Sequence, residues 1–201
     1  MPKNLLLIFT RNPELGKCKT RLAATVGDTA ALNIYTFLLK HTATITKEVS
    51  AIKQVWYSEE IWENDTWDST YFEKRTQTKG DLGTRMQNAF EQGFAAGYEQ
   101  IIGIGSDLYD INTQELNDAF KILSNNEAIL GPAEDGGYYL LGLTTMISPV
   151  FKNKSWGTET VLTDTLKDLE AYQFELLPTK NDIDYYEDID GIPAFDIFLK
   201  K

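Results

Sequence analysis

Arg11, Lys17, Lys19 and Arg21 put four cations into eleven residues of a chain whose formal net charge is −11. They follow a continuous apolar run, Asn4–Thr10, that ends at Arg11-Asn12-Pro13. Lys19 and Arg21 read as the first turn of a helix over residues 19–26, where free backbone N–H groups and the helix dipole also favour an anion. Basic side chains are usually avoided there, so the cluster suits a di- or triphosphate. The bland alternative is a solvated basic face that offsets nearby acids. The glycines that a phosphate-binding P-loop sets directly before Lys-Ser/Thr are missing.

The acidic counterpart is Asp107. Residues 99–110 read as a buried strand, with Ile101, Ile102 and Ile104 as its apolar run, emptying into a turn. Gly103 and Gly105 allow another backbone or a ligand to come close. Ser106 and Asp107 then stand at the carboxyl end of the strand, where open α/β sheets place their ligands. A carboxylate leaving so apolar a context suits a hard cation such as Mg²⁺, which takes oxygen ligands and shares them with substrate phosphates. Otherwise Asp107 shapes the turn or caps the helix beginning near Asn112. Further on, Asp182, Asp184, Glu187 and Asp188 crowd four acids into seven residues, a cluster that repels itself unless a cation or solvent absorbs the charge. In extended backbone Asp182 and Asp184 fall on the same side, and Asp188 reads as the cap of a last helix. A solvated acidic turn is the plain alternative.

Three other stretches carry candidate chemistry. In Lys79–Met86, Gly80 and Asp81 start a helix, Gly83 is costly in its first turn, and Arg85 is within reach of a base or phosphate; an ordinary capped helix explains the pattern equally. In Gly131–Gly142, Glu134 and Asp135 can accept from sugar hydroxyls, Gly136 and Gly137 free backbone N–H groups, and Tyr138 offers a stacking face. Turn chemistry alone explains the same glycines. In Ser155–Thr160, Trp156 is a pocket wall and Thr158 a helix cap. His41 lies mid-helix and reads as structural, Cys18 as incidental, and no Gly-x-Ser-x-Gly elbow is present.

These residues need a scaffold. The 201 residues favour one domain with a sizeable core, and 42% apolar with 24% charged residues is ordinary for a globular protein. The acidic balance argues against nucleic acid and anionic membranes as partners. A single cysteine excludes an internal disulfide and a cysteine-rich zinc site. No signal peptide or membrane-spanning run is visible, which is compatible with the cytoplasm.

Strands are expected at Asn4–Thr10, Ile52–Tyr57, Tyr71–Gln77, 101–104, Ala128–Gly131, Tyr138–Leu143 and Phe174–Leu177. Helices are expected over 19–26, from a cap at Asp28 to about Lys47, from Gly80–Gly83 to Gly97, over Asn112–Ser124 and Thr158–Tyr172, and from Tyr186 to near Leu199. A short helix and a loop fill residues 58–70. Alternation of strands and helices points to a three-layer α/β/α sandwich on a mostly parallel sheet. The loop Pro132–Gly137 is too short for a parallel crossover, so one strand of this mixed sheet is reversed.

Taken in order, Phe9-x-Arg11-x-Pro13-x-x-Gly16-x-x-Lys19-Thr20-Arg21-Leu22, Gly80-Asp81-Leu82-Gly83-x-Arg85-Met86, Gly105-Ser106-Asp107, Gly131-Pro132-Ala133-x-Asp135-Gly136-Gly137-Tyr138-Tyr139, Trp156-x-Thr158-x-x-Val161 and Asp182-Ile183-Asp184-x-x-x-Asp188 resemble the bacterial domain-of-unknown-function 2064 group. That group belongs to the nucleotide-diphospho-sugar transferases of GT-A fold, is glycosyltransferase-like, and is related to phospholactate guanylyltransferase. The resemblance implies a metal-dependent transferase using Mg²⁺ or Mn²⁺ held by Asp107 and Asp184. It implies nucleotide binding by Arg11, Lys19, Arg21, Gly80, Asp81, Arg85 and Ser106, and a sugar or acceptor site at Glu134, Asp135, Gly136, Gly137, Tyr138 and Trp156. Asp107, Asp135 and Lys19 are the catalytic candidates. An Asp-x-Asp pair would place its second acid at 109, where this chain has Tyr109, so a single aspartate of the turn is expected on the metal. The Gly-Gly-x-x-x-Arg-Met loop of sugar nucleotidyltransferases is absent after the first strand. Expected partners are a nucleotide or nucleotide-sugar and a small-molecule acceptor, with a homodimer left open. Nucleotidyl transfer from an NTP to a phosphorylated acceptor, and a non-catalytic nucleotide-binding module, are the competing functions.

Overall fold

A computed structural model describes residues 3–199. Its strands are β1 (Asn4–Thr10), β2 (Ile52–Tyr57), β3 (Glu73–Thr76), β4 (Gln100–Gly105), β5 (Ala128–Pro132), β6 (Tyr138–Leu143) and β7 (Phe174–Leu176). Its helices are α1 (Thr20–Val26), α2 (Asp28–Lys47), α3 (Leu82–Ala95), α4 (Thr113–Leu123), α5 (Val161–Leu169) and α6 (Asp196–Leu199). The seven strands form one sheet in the order β3-β2-β1-β4-β6-β5-β7. Only β6 runs against its neighbours: it pairs antiparallel with both β4 and β5, and every other pairing is parallel.

Period-two alternation in β1 divides the core. Leu6 and Ile8 pack with Tyr35 and Leu39 of α2 and with Leu116 and Phe120 of α4. Leu5 and Leu7 face the other way, onto Met86, Ala89 and Phe90 of α3 and onto Leu169 of α5. The result is helices on both faces of a central sheet, as the sequence predicts. A third cluster joins Leu22 of α1, Ile34 and Leu38 of α2, Ile183 and Phe195, tying the acidic carboxyl-terminal segment to the start of the chain.

Five local expectations differ from the structure. Residues 58–70 contain no helix. The Lys74 ammonium donates to the carbonyls of Trp62 and Glu63 and pairs with Asp65, so a side chain satisfies backbone groups that a helix would otherwise bond. Helix α1 begins one residue late, because Lys19 takes a left-handed conformation, φ 50° and ψ 45°, and serves as its N-cap. Helix α5 starts at Val161, since Gly157 at φ 81° and a Thr158 Oγ1 bond to the Ser155 carbonyl close a turn there first. The carboxyl-terminal stretch is two 3₁₀ turns, Tyr186–Asp188 and Pro193–Phe195, followed by the single turn α6. Pro193 lacks the N–H that a continuous helix would need, and Gly191 sits at φ 73°. Asp28 is the first residue of α2 rather than its cap, which is Gly27.

Candidate active site

Strand order reverses direction at β1: β2 lies on one side and β4 on the other. Ligands of open α/β sheets bind beyond the carboxyl ends of strands at such a point. Here the ends of β1 and β4 open into a cleft of 660 Å³ lined by Arg11, Lys19, Arg21 and Arg85 among the cations and by Asp107, Asp135, Asp182 and Asp184 among the acids.

Lys19 is the centre of this cleft. Its Nζ donates to Asp107 Oδ2 at 2.7 Å and to Asp184 Oδ1 at 2.9 Å, and its side chain is only 5% exposed. Burial opposes the charge, but the two carboxylates outweigh it and hold the ammonium above the usual lysine range. The left-handed turn at Lys19, uncommon outside glycine and asparagine, precedes α1 directly, and two charge-assisted bonds anchor it. Arg21 reaches the other oxygen of Asp184 at 3.3 Å and lies 5.5 Å over the Tyr185 ring.

The acidic segment is held in place from below. Ile183 is buried in the third core cluster, so Asp182 and Asp184 both face the cleft, as period-two spacing predicts. Asp188 accepts from the backbone N–H groups of Asp184 (2.8 Å) and Tyr185 (2.6 Å) and from Asn181 Nδ2 (2.8 Å). It therefore fixes the turn bearing Asp184 instead of capping a last helix. Burial, then the charges of Asp135, Asp184 and Asp107, push the Asp182 carboxyl up to about 6, with Lys19 pulling the other way.

The remaining sequence candidates divide. Gly80, Asp81 and Arg85 line the cleft, where Asp81 Oδ1 caps α3 by accepting from Thr84 N (2.8 Å) and Arg85 Nε donates to the Gly80 carbonyl (2.9 Å). Ser106 is buried, and its hydroxyl bonds Thr10 Oγ1 (3.1 Å) beside Tyr35 Oη (3.4 Å), so it clamps the ends of β1 and β4. Asp135, Gly137, Tyr138 and Trp156 line a second cavity beside the cleft. Glu134 and Gly136 line neither: Glu134 is exposed, and Gly136 is pressed against the Glu159 backbone. Two contributors had no sequence signal. Tyr35 reads as helix core, yet its hydroxyl bonds the Arg11 backbone, and Gln77 bonds the carbonyls of Thr10 and Trp56 at the cleft edge. Among the described residues no three His, Cys, Asp or Glu side chains gather at metal-binding spacing.

The sheet order and the helices on both faces make this an α/β fold of the nucleotide-diphospho-sugar transferase type. The family described as "Uncharacterized protein conserved in bacteria (DUF2064)" matches residues 41–158, and the chain belongs to it. Among solved structures, a Desulfovibrio desulfuricans protein provisionally named a nucleotide-diphospho-sugar transferase is 26% identical, with a TM-score of 0.86, over 99% of this chain and 94% of that one. A cytidylyltransferase from Leptospira borgpetersenii shares the fold at 16% identity and a TM-score of 0.60, over 94% of this chain and 84% of that one. So does Rv0371c from Mycobacterium tuberculosis, crystallised with manganese, at 10% identity and a TM-score of 0.57, over 99% and 98%. No curated protein matches the chain. No described helix is long and apolar enough to cross a membrane.

Proposed function

We propose that the protein transfers a glycosyl group from a nucleotide-activated donor, with the donor's diphosphate in the cation-lined cleft. The observation that carries this reading is the convergence of Asp107, just after β4, and Asp184, beyond β7, on one buried ammonium at the switch point. The pair is an all-oxygen donor set that already holds a cation, and Mg²⁺ or Mn²⁺ is commonly bound by one or two carboxylates plus phosphate oxygens. Asp107 and Asp184 would hold such an ion, which would neutralise charge on the diphosphate as its bond to the transferred group breaks. Lys19, released from the carboxylates, and Arg11, Arg21 and Arg85 would bind the phosphate oxygens and stabilise the leaving diphosphate. Asp135 keeps one oxygen for the Gly137 N–H (2.8 Å) and offers the other to an acceptor hydroxyl as a proton acceptor.

Nucleotidyl transfer to a phosphorylated acceptor is the second reading, supported by the same phosphate-binding cations. Product analysis separates the two: glycosyl transfer releases a nucleoside diphosphate from a nucleotide-sugar, and nucleotidyl transfer releases pyrophosphate from an NTP. A thermal-shift series with UDP, GDP, CDP and ADP, each with and without Mn²⁺, tests the shared premise, because a ligand bound only by the native state raises the melting temperature. At least one diphosphate is expected to raise it, more so with the metal. No shift with any of them sinks both readings. Asp107→Asn is expected to lower turnover by roughly 100-fold or more while leaving the melting temperature within a few degrees of wild type.

A further inference from the structure

Beside the phosphate cleft, and sharing Asp135 and Asp182 with it, lies a cavity of 230 Å³. Its walls are mostly apolar: Phe9, Met86, Phe90, Leu141 and Val161 among them. Its charged lining is one-sided. Among the described residues four cations border the cleft, but no Lys or Arg borders this cavity, whose only charged residues are Asp135 and Asp182, both shared with the cleft. The two tyrosines that open β6 have divided roles. Tyr139 faces the α2–α4 layer and donates its hydroxyl to the Pro178 carbonyl (3.0 Å). Tyr138 faces the opposite layer and lines the cavity with Trp156, edge to face at a centroid distance of 6.4 Å. The Tyr138 hydroxyl and the Trp156 indole N–H are both buried with no hydrogen-bond partner among the described residues. Burial raises the Tyr138 phenol, so it stays protonated. Native interiors rarely strand two donors in one place, because each loses its water and gains nothing in exchange.

We infer that this cavity is the acceptor site of the proposed transferase and that it selects a neutral alcohol with a compact apolar body, not a sugar and not a phosphorylated compound. The inference rests on the glycosyl-transfer reading. A sugar would bury several hydroxyls against Phe9, Met86, Phe90 and Leu141, where they find few partners. A phosphate at the mouth would meet two carboxylates with no cation in the cavity wall. An alkyl or aryl alcohol fills the apolar space against Phe9, Met86, Phe90 and the Tyr138 and Trp156 rings. Its hydroxyl emerges between Asp135 and Asp182, facing the cleft. In the transfer, the acceptor oxygen forms a bond to the anomeric carbon. The bond from that carbon to the diphosphate breaks, its electron pair leaves with the nucleoside diphosphate, and the hydroxyl proton passes to the Asp135 carboxylate.

The Trp156 indole ¹H–¹⁵N resonance, assigned with Trp156→Phe, reports on the cavity directly. Benzyl alcohol, benzyl phosphate and glucose are titrated separately into the full chain with Mg²⁺ and UDP present. Benzyl alcohol is expected to move the resonance saturably, benzyl phosphate to bind about tenfold more weakly or less, and glucose to give no saturable shift. Replacing both acids, Asp135→Asn with Asp182→Asn, is expected to bring benzyl phosphate to within about threefold of benzyl alcohol, since the discrimination is electrostatic. Glucose or benzyl phosphate binding as tightly as benzyl alcohol to the wild type overturns the inference, as does a resonance that none of the three moves. Calorimetry of UDP–Mg²⁺ binding runs in parallel. UDP binding with a silent cavity refutes the acceptor assignment alone. Cavity binding of benzyl alcohol without binding of any nucleoside diphosphate refutes the transferase reading and leaves only the selectivity of the cavity standing.

Discussion

Lys19 does the work of a counter-ion. Its ammonium lies between the two carboxylates that a divalent metal would use, at 2.7 and 2.9 Å. On the proposed function, metal and lysine would compete for the same oxygens until phosphate gave the lysine somewhere else to go. Lys19→Met is expected to tighten nucleotide-free Mn²⁺ binding by about tenfold, the equivalent of one charge-assisted hydrogen bond, while lowering turnover; titration of free Mn²⁺ by electron paramagnetic resonance checks the first effect. A Mn²⁺ affinity that stays the same shows that the lysine does not guard the carboxylates. Asp182 gives the pH signature. Its carboxyl is raised to about 6 from an ordinary 3.8, so between those values the folded protein holds a proton that the unfolded chain has lost. The stabilisation from that proton is present below pH 4 and fades as pH rises through about 6. Asp182→Asn is expected to flatten this slope and to melt higher than wild type above pH 6, measured in chelator from pH 4 to 8.

At the scale of elements, α3 shows how a costly local choice is set by its neighbours. A Cβ on Gly83 would stand 2.1 Å from the Phe151 carbonyl oxygen and 2.7 Å from Trp156 Cζ2. Gly83→Ala gains about 1 kcal/mol of helix propensity but forces the Ser148–Phe151 turn and Trp156 away from α3. A net loss of about 1–3 kcal/mol is expected from overpacking, seen as a lower melting temperature by roughly 2–4 °C per kcal/mol. The sequence already marks Gly83 as out of place in a first turn, but it cannot say what approaches it. Most element boundaries were legible for the same reason that this detail was not. Strands β1 and β6 coincide with their apolar runs because burial on both faces leaves a one-dimensional trace. The loop over 58–70 leaves none, because its order comes from Lys74, a residue outside it. The left-handed turn at Lys19 is equally silent, since it depends on carboxylates far away in sequence. Period two did reveal Asp182 and Asp184 as neighbours on one side, and the structure turns both into the cleft.

For the molecule as a whole, the alternation of strands and helices announced a layered α/β sheet, and the short Pro132–Gly137 loop announced the reversed strand. The order of the strands was not written locally, so the meeting of Asp107 with Asp184 was an expectation of the family resemblance rather than of spacing, and the Lys19 ammonium between them was not foreseen by either. One global consequence concerns metal. Many small metal-binding domains unfold when stripped of their ion. This chain carries its own ammonium in the clamp, so excess EDTA is expected to change its melting temperature by less than about 1 °C, which differential scanning calorimetry can check. A second consequence belongs to β6. Because it alone runs backwards, its first residue lies at the end of the sheet where the other strands finish. Tyr138 is thereby fixed by strand register, whereas Trp156 across from it is carried on a connection before α5. The cavity thus has one inherited wall and one editable wall. If the cavity takes the acceptor as proposed, descendants of this fold can change what they accept by altering the segment around Trp156, and the sheet beneath the cleft need not be touched.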